Sequence, residues 1–420
     1  MQKSLGLLML IFYATGMILG AGVYSVIGKA AGVAHEGLWL SFVLAAVAAL
    51  LTALSYAELS TLFPKAGAEY VYMKEIFPQR KILSFLCGCL MIFAAICTAS
   101  TVALSFAAYL QDFFKAPEAL IAVAVLIFFT LVNIWGVRES GWMNIVFTLV
   151  ELSGLLIFIY AGIKQPDFGK ALSAPLSWGI VSGASLIFFA YLGFESMVNL
   201  AEEAKEPDKN IPRAILISLA LTTVVYVAVG LSALAMMSPD DLEKSDAVLS
   251  EALMRHSPEA AKALGGIALF ATANTVMIAL LAASRICLGM ARGRDLPKMF
   301  SAILPKRQSP WLASLLVFAL TLLFLPLKKI EIIASVSSFV TIVVFIIVNA
   351  AVVYLRRTDP TRKRPFRVPG TIAGWPVLPL LAAGIALFFL FHFEEQVYYV
   401  GFGIVIFVLL GYQALHRRRA

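Results

Sequence analysis

Long runs of apolar residues alternate with short polar stretches along the whole chain. Each run approaches or exceeds about 20 residues, the length at which an α-helix crosses a bilayer, whereas a membrane strand needs only about 10. The pattern predicts twelve transmembrane helices and no soluble domain. The predicted limits are 5–28, 38–63, 83–111, 118–136, 143–162, 178–200, 212–237, 259–290, 309–326, 331–355, 371–393 and 396–415.

Two of these runs are interrupted by residues that weaken a helix. The first run has three glycines within residues 16–22, and the sixth has Gly193 two positions before Glu195. Each glycine costs a helix about 1 kcal/mol relative to alanine. Interrupted helices in matching positions of two halves indicate the binding site of a secondary transporter. Glycines that only allow close helix packing are the simpler alternative.

The composition agrees with an integral membrane protein. Of the 420 residues, 61% are hydrophobic and 14% are charged, whereas soluble proteins carry about 25% charged residues. The net charge of +8 does not indicate a nucleic-acid partner, because most Lys and Arg residues lie in alternate loops, as the positive-inside rule requires. The distribution predicts a multi-pass protein of a bacterial or archaeal plasma membrane, with both termini in the cytoplasm.

The remaining reactive residues offer no enzyme site. The four cysteines lie within or beside apolar runs, which favours small core residues over a disulfide framework. All four histidines lie in loops or near helix ends, no Asp lies inside a span, and there is no HExxH motif. No repeated filter or charge ring indicates a channel. The sequence therefore predicts a carrier without a metal or cofactor.

Three glutamates lie inside predicted spans, where an ionisable residue is costly and functional by default. Glu151 is the most informative of them, because it lies about 12–13 Å into its span and therefore near the bilayer midplane. It shares a helix face with Asn144 and Thr148. This position predicts a carboxyl group that carries a proton during transport; a protonated or hydrogen-bonded structural glutamate is the alternative.

The other intramembrane polar residues allow several roles. Glu195 could bind a proton, accept hydrogen bonds from backbone N–H groups freed by the break, or only hold its span in place. Glu58 is expected to be structural. Asn274 and Thr275 in the eighth span are candidate ion-coupling residues, although hydroxyl side chains in membrane helices usually bond to their own backbone. The Arg-rich loop at 356–370 is interpreted as orientation charge.

Four motifs in order along the chain resemble those of the amino acid–polyamine–organocation (APC) superfamily. The resemblance spans nearly the whole chain. The matching stretches are residues 16–24, residues 56–70, residues 188–215, and residues 284–297 together with 364–369.

The resemblance implies an all-α integral membrane protein built from two inverted five-helix repeats with broken helices 1 and 6, followed by two further helices. The corresponding parts are residues 1–162, 178–355 and 371–420. It also implies a central substrate site between the two broken helices.

The resemblance further implies which residues bind the substrate. Backbone N–H groups at the first break would bind a carboxylate, because a helix N-terminus attracts anions. Carbonyl groups at the second break would bind an ammonium group, and Phe189 or Tyr191 would act as an aromatic gate, with Phe189 the better match. Ala21 replaces the Ser or Thr of many members. The implied substrate-binding residues are Ile18, Gly20, Ala21, Gly22, Phe189, Ala190, Tyr191 and Leu192.

The fifth helix departs from the family pattern. Several members have a Lys there that takes the place of a sodium ion, whereas this chain has Glu151. The sequence therefore predicts a secondary active transporter that moves amino acids by alternating access and is coupled to protons through Glu151, Glu195, Asn274 and Thr275. An amino acid exchanger and a cationic amino acid or polyamine transporter are the alternatives. The expected partners are the substrate, protons and the lipid bilayer, and a monomer is compatible with the sequence.

Overall fold

A computed structural model describes residues 3–111, 115–173, 175–245, 247–326 and 330–417, without the side chains of residues 21, 330–331 and 415–417. The described chain is mostly helical. Its α-helices are α1 (Leu7–Ala34), α2 (Leu38–Leu62), α3 (Ala68–Ile76), α4 (Lys81–Gln111), α5 (Glu118–Trp135), α6 (Val137–Ile163), α7 (Trp178–Phe188), α8 (Phe194–Val198), α9 (Pro207–Met236), α10 (Pro239–Lys244), α11 (Val248–His256), α12 (Pro258–Arg292), α13 (Trp311–Phe324), α14 (Ile330–Thr358), α15 (Val377–Leu390) and α16 (Glu395–Arg417).

The long helices have the length and composition of membrane spans. Among the described residues, nine helical segments are long and apolar enough to cross a bilayer, and the shorter apolar helices are Leu7–Gly20, Trp311–Phe324 and Val377–Leu390. These helices confirm an all-α, multi-pass membrane protein. The count of twelve spans and the repeat architecture stay predictions.

Helix α12 lies at the centre of the protein. In the most apolar stretch of α12, 78% of the residues are buried inside the protein, whereas only 11% are buried in the corresponding stretch of α16. Both helices are apolar on most sides, which a helix tolerates only when protein or lipid covers it. The difference places α12 among other helices and α16 at the edge that lipid would cover. A site beside α12 is therefore shielded from both lipid and water.

The predicted eleventh span begins too early. Residues 371–376 form a hairpin of β1 (Thr371–Ile372) and β2 (Trp375–Pro376) instead of a helix. Its two-residue turn has positive φ angles at Ala373 (49°) and Gly374 (79°), the geometry of a type I′ turn. The apolar composition of this segment hid the turn, and helix α15 begins only at Val377.

Candidate functional site

Helix α1 is broken at Gly20, whose backbone is not helical (φ −14°, ψ −154°). A Cβ atom there would lie 2.5 Å from Oγ1 of Thr275, so a side chain would force Thr275 on α12 to move. The first N–H groups of a restarted helix have no partner in a preceding turn. The backbone of Ala21 and Gly22 begins this second half of α1, while the side chain of Ala21 lies outside the described part of the chain.

A second break separates α7 from α8. Residues Phe189–Tyr191 form a 3-10 turn, Leu192 is extended, and Gly193 has a φ of 134° that favours glycine. The Gly193 N–H donates to Oε2 of Glu195 at 2.8 Å. Glu195 therefore plays one of its three predicted roles, because it accepts a hydrogen bond from a backbone N–H group at the break.

The two breaks touch each other at glycines. A Cβ atom on Gly22 would lie 2.9 Å from the Ala190 Cα atom, and one on Gly193 would lie 2.7 Å from Cγ of Met17. Separations under 3 Å are shorter than van der Waals contact, so both positions need glycine for the segments to approach this closely. The broken segments of α1 and α7–α8 therefore cross in direct backbone contact.

Tyr226 on α9 joins the two breaks by hydrogen bonds. Its hydroxyl group lies 2.6 Å from the Ile18 carbonyl oxygen, 3.3 Å from that of Leu19 and 3.2 Å from that of Ala190. These carbonyl groups have lost helical partners, and a buried carbonyl group without a hydrogen bond is costly. Tyr226 therefore stabilises the crossing of the breaks.

A cavity of about 100 Å³ lies between the two breaks. Seven of the predicted substrate-binding and ion-coupling residues line it: Ile18, Gly22, Phe189, Ala190, Leu192, Glu195 and Thr275. The Tyr191 ring points elsewhere, because it is fully buried and its hydroxyl group donates to the Phe42 carbonyl oxygen at 3.2 Å. Neither Glu151 nor Asn274 is among the residues that line the cavity.

The cavity wall is apolar with a few hydroxyl groups. Met17, Met91 and Val102 supply apolar surface, and Thr98 and Thr341 supply hydroxyl groups. Among the described residues that line it, Glu195 is the only one with an ionisable carboxyl or basic side chain. The wall therefore fits a small molecule with an apolar body and a polar end.

Phe189 lies between this cavity and a second one. The second cavity, of about 260 Å³, is also lined by Phe189 and Ser338, and it continues to Lys29 and Glu394 near the ends of α1 and α16. These ends lie on the face of the protein opposite the N-terminus. The ring of Phe189 is therefore placed where it could separate the inner cavity from the opposite face.

Asn144 and Thr148 on α6 form a fully buried polar cluster with α12. Asn144 Nδ2 donates to Oδ1 of Asn274 at 2.9 Å, and Asn274 Nδ2 donates to Oγ1 of Thr148 at 3.1 Å. A Cβ atom on Gly16 would lie 2.2 Å from Thr148 Oγ1, so the cluster also packs closely on α1. Asn274 thus connects α12 to α6, whereas its neighbour Thr275 lines the cavity.

Glu151 is the next polar residue on this face of α6. It is fully buried, and neither carboxyl oxygen has a hydrogen-bond partner among the described residues. The hydroxyl groups of Tyr24 and Tyr226 are close enough to interact electrostatically with the Glu151 carboxyl group. A buried carboxyl group without a partner strongly disfavours the charged form. Glu151 therefore lies close to the breaks but does not line the cavity between them.

The protein is closed at the face that carries the N-terminus. Arg285 on α12 pairs with Glu203 at 2.9 Å, with both side chains almost fully buried. The N–H groups of Ser4 and Leu5 donate to the Glu203 carbonyl oxygen at 2.9 and 3.0 Å, and the Lys205 N–H donates to the Leu5 carbonyl oxygen at 2.8 Å. These hydrogen bonds hold residues 4 and 5 against residues 203–205, at the end of the site nearest the N-terminus.

Glu58 contributes a second closing network. Arg356 Nε donates to Oε1 of Glu58 at 3.0 Å, Arg364 Nε lies 3.1 Å from the same oxygen, and the Val368 N–H donates to Oε2 at 2.8 Å. Two of the basic residues interpreted as orientation charge thus also bind a buried carboxylate. The sequence missed this because Glu58 and Arg356 lie far apart along the chain.

A profile of the amino acid permease family matches residues 5–413. The chain belongs to this family. It is 30% identical over 418 residues to the methylthioribose transporter of Bacillus subtilis (strain 168), covering 93% of this chain and 88% of that protein. It is 28% identical over 416 residues to the branched-chain amino acid permease of the same organism, with the same coverage. It is 33% identical over 330 residues to the chloroplastic cationic amino acid transporter 9 of Arabidopsis thaliana, covering 72% of this chain and 58% of that protein.

These matches confirm the resemblance to the APC superfamily. They also confirm that the permease is a transporter and not an enzyme, because the family and these relatives are permeases and transporters. Amino acid transport is supported at the level of the family.

The sequence did not single out Glu69 on helix α3 of the permease. Its side chain is fully buried, and neither carboxyl oxygen has a hydrogen-bond partner among the described residues. The Tyr56 hydroxyl group and the Asn199 amide face it. Burial, and to a smaller extent the Glu195 carboxylate, raise the pKa of the Glu69 carboxyl group from 4.5 to about 8. Glu69 is therefore another buried acid, just behind the cavity residues Glu195 and Asn199.

Glu69→Gln is expected to change how the stability of the permease depends on pH. Between pH 4.5 and about 8 the folded form keeps a proton on Glu69 that the unfolded form releases. Wild-type stability therefore falls as the pH rises through this window, by roughly 3–5 kcal/mol from this group, and levels off above it. Glutamine removes the part of this slope that comes from Glu69. Melting temperatures of the purified protein at pH 5.5 and 8.5 measure the effect.

The control for Glu69 is Glu75→Gln on the same helix. The Glu75 side chain is 43% exposed in a surface pair with Lys65, so its loss is expected to change stability by no more than about 1 kcal/mol at either pH. Melting temperatures of Glu69→Gln that follow the wild-type pH dependence would contradict the assignment.

Gly22→Ala is expected to lower transport by about tenfold to a hundredfold. The added methyl group would lie 2.9 Å from the Ala190 backbone, and overpacking of this kind costs about 1–3 kcal/mol. Initial uptake rates in liposomes measure the effect. Gly266→Ala is the matched control, because its Cβ atom would have no neighbour within 4 Å. Equal rates for the two variants would show that the breaks do not need this close approach.

The residues that sequence reasoning missed share one property. Tyr226, Glu69 and the Glu203–Arg285 pair act through neighbours that are distant in the chain. Tyr226 lies in an apolar run that also contains several Ser and Thr residues, and Glu69 follows a short loop with the single glycine Gly67. Arg285 was the one available signal, because a cation near the end of an apolar run needs a buried partner.

Proposed function

We propose that this permease is a proton-coupled secondary active transporter that moves neutral, apolar amino acids across the plasma membrane by alternating access. The observation that carries the proposal is Glu151, a fully buried carboxyl group without a hydrogen-bond partner among the described residues, beside the contact between two broken helices. A group that is neutral while buried and charged when water reaches it takes up and releases a proton as the protein changes conformation.

The proposed substrate pose uses both breaks. The N–H groups that begin the second half of α1, from Gly20 to Gly22, receive the amino acid carboxylate. The carbonyl groups at Phe189, Ala190 and Leu192 receive the ammonium group, and the Phe189 ring closes the cavity. The apolar wall formed by Met17, Met91 and Val102 receives the side chain of the substrate. This wall favours a small aliphatic side chain.

The proposed architecture has twelve transmembrane helices in two inverted five-helix repeats, residues 1–162 and 178–355, followed by two helices within residues 371–420. Both termini lie in the cytoplasm. The N-terminal face, closed by Glu203 and Glu58, is then the cytoplasmic face. The described conformation corresponds to a carrier closed toward the cytoplasm, and transport requires these ion pairs to open.

The second break supports another candidate, transport of a cationic amino acid. The Glu195 carboxylate reaches the cavity and is its only described acidic group. It also accepts the Gly193 N–H, which leaves it less free to bind a substrate cation. One of the relatives is named as a cationic amino acid transporter.

Uptake by the purified protein in liposomes tests the proposal. Radiolabelled leucine, lysine, putrescine and methylthioribose are offered separately, with and without an inward proton gradient. The expected result is accumulation of leucine only when the gradient is imposed. Accumulation of lysine or putrescine instead would identify a cationic substrate. Uptake that ignores the gradient and requires internal substrate would identify an exchanger.

A further inference from the structure

A groove of about 600 Å³ opens on the face of the protein that carries the N-terminus, outside the site between the breaks. It lies between the start of the chain, the junction of α5 and α6, the segment before α9 and the loop between α12 and α13. We call it the basic groove, because five basic residues line it: Lys3, Arg138, Lys205, Lys306 and Arg307.

Acidic groups in the basic groove do not balance these charges. Glu203 also lines the groove, but its carboxylate pairs with Arg285 in the protein interior. Glu139 lies 3.6 Å from Arg307 in a half-exposed pair, which is weak in water. The other four basic side chains have no acidic partner within the described parts of the chain. The basic groove is therefore a cationic concavity that favours an anion.

The rim of the basic groove is apolar and aromatic. The exposed fraction is 59% for Trp135, 55% for Trp142 and 63% for Leu8. The Arg307 guanidinium group lies 5.0 Å from the Trp135 ring centroid. Tryptophan concentrates where a membrane meets water, because its ring is amphipathic. A free phosphate ion would leave these side chains uncovered, whereas a lipid would cover them with its glycerol and acyl chains.

We propose that the basic groove binds the headgroup of an anionic phospholipid. The phosphate contacts the side chains of Lys306, Arg307 and Arg138, and the acyl chains lie along Trp135 and Trp142. Basic pockets between helices on the cytoplasmic side suit such headgroups. The choice of the cytoplasmic leaflet rests on the proposed orientation of the permease.

The bound lipid also stabilises the closed cytoplasmic face. The basic groove joins Lys3 and Lys205, which flank the backbone bonds from Ser4 and Leu5 to Glu203. A headgroup that holds these segments together opposes their separation. A ligand that binds one conformation better shifts the population toward it. Anionic lipid is therefore expected to change the transport rate as well as to bind.

Native mass spectrometry of the detergent-purified permease tests the binding. The protein is titrated with phosphatidylglycerol or phosphatidylcholine, and bound lipid is counted. The wild type is expected to bind one phosphatidylglycerol in preference to phosphatidylcholine. The triple variant Arg138→Gln, Lys306→Gln, Arg307→Gln is expected to bind it about a hundredfold more weakly. The pair Lys306→Arg, Arg307→Lys keeps the charges and is expected to keep the lipid.

A matched control removes three basic residues elsewhere on the same face: Arg357→Gln, Arg362→Gln and Lys363→Gln. This variant is expected to bind the lipid like the wild type. Equal binding by the two triple variants, or equal binding of the two lipids by the wild type, would overturn the proposal. Displacement of the lipid by millimolar inorganic phosphate would identify a free-anion site and would also overturn it.

Liposomes of phosphatidylcholine, with and without 30% phosphatidylglycerol, separate this proposal from the proposed function. The amino acid uptake rate of the wild type is expected to depend on phosphatidylglycerol, and that of the triple variant is expected not to. Uptake without selective lipid binding would refute the lipid site alone. Selective lipid binding without any amino acid uptake would refute the proposed function and leave the lipid site standing.

Discussion

Glu151→Gln is expected to abolish proton-driven accumulation of the substrate while exchange of internal for external substrate stays within about twofold of the wild type. Glutamine has nearly the same size as glutamate and stays neutral, so it reproduces the buried, protonated form but cannot release a proton. A gradient of one pH unit supplies about 1.4 kcal/mol per proton, which supports about tenfold accumulation by one-to-one symport. The variant is expected to equilibrate its substrate without accumulating it.

The measurement uses the same liposomes with labelled substrate, once with an inward proton gradient and once with unlabelled substrate inside. Glu118→Gln is the matched control, because Glu118 is exposed at the start of α5 and its replacement is expected to change neither assay. Accumulation by Glu151→Gln at the wild-type level would show that Glu151 does not carry the proton. Loss of both accumulation and exchange would assign it a structural role.

Arg285→Gln is expected to open the face of the permease that carries the N-terminus. The substitution leaves the Glu203 carboxylate buried without its cation, which costs about 3–5 kcal/mol, and opening relieves this cost by letting water reach Glu203. The ratio of open to closed protein is therefore expected to rise by about a hundredfold or more. A cysteine introduced at position 4 reports the opening, because the Ser4 hydroxyl group is buried in the closed form.

Maleimide labelling of Ser4→Cys is expected to be at least tenfold faster with Arg285→Gln than without it. The native background is low, because Cys87, Cys97 and Cys287 are buried and Cys89 is partly so.

Arg292→Gln is the control for Arg285, because it removes a neighbouring pair with Glu202 in which the arginine is 37% exposed and the expected cost is below about 1 kcal/mol. The double variant Arg285→Met, Glu203→Leu removes both charges and is expected to restore slow labelling. Equal labelling for Arg285→Gln and Arg292→Gln would refute the role of the buried pair.

The helices and their breaks were predictable because both depend on local sequence. An apolar run near 20 residues has few stable forms in a membrane other than a helix, and glycine weakens a helix wherever it occurs. The breaks at Gly20 and Gly193 lie where the sequence pattern placed them. The hairpin at residues 371–376 was missed because its turn depends on positive φ angles at Ala373 and Gly374, which an apolar pattern does not indicate.

The direction in which each side chain points was less predictable. Phe189 and Tyr191 are two residues apart in a broken segment, and either could have faced the substrate. The tertiary structure places Phe189 at the cavity and directs the Tyr191 hydroxyl group to the Phe42 carbonyl oxygen. Outside a regular helix, side-chain direction depends on the local turn and on the partners that neighbouring helices offer.

The sequence by itself determined that this protein lies in the membrane as a set of helices, that two of them are broken, and that Glu151 lies within a different, unbroken helix. Hydrophobicity and helix propensity are properties of single residues and their near neighbours, so a linear pattern records them. Only the tertiary structure decided that Tyr226 joins the breaks, that Arg285 meets Glu203, and that basic residues from four segments surround one groove. These contacts join residues that are far apart in the chain, and their energies depend on burial and distance, which exist only once the helices have packed.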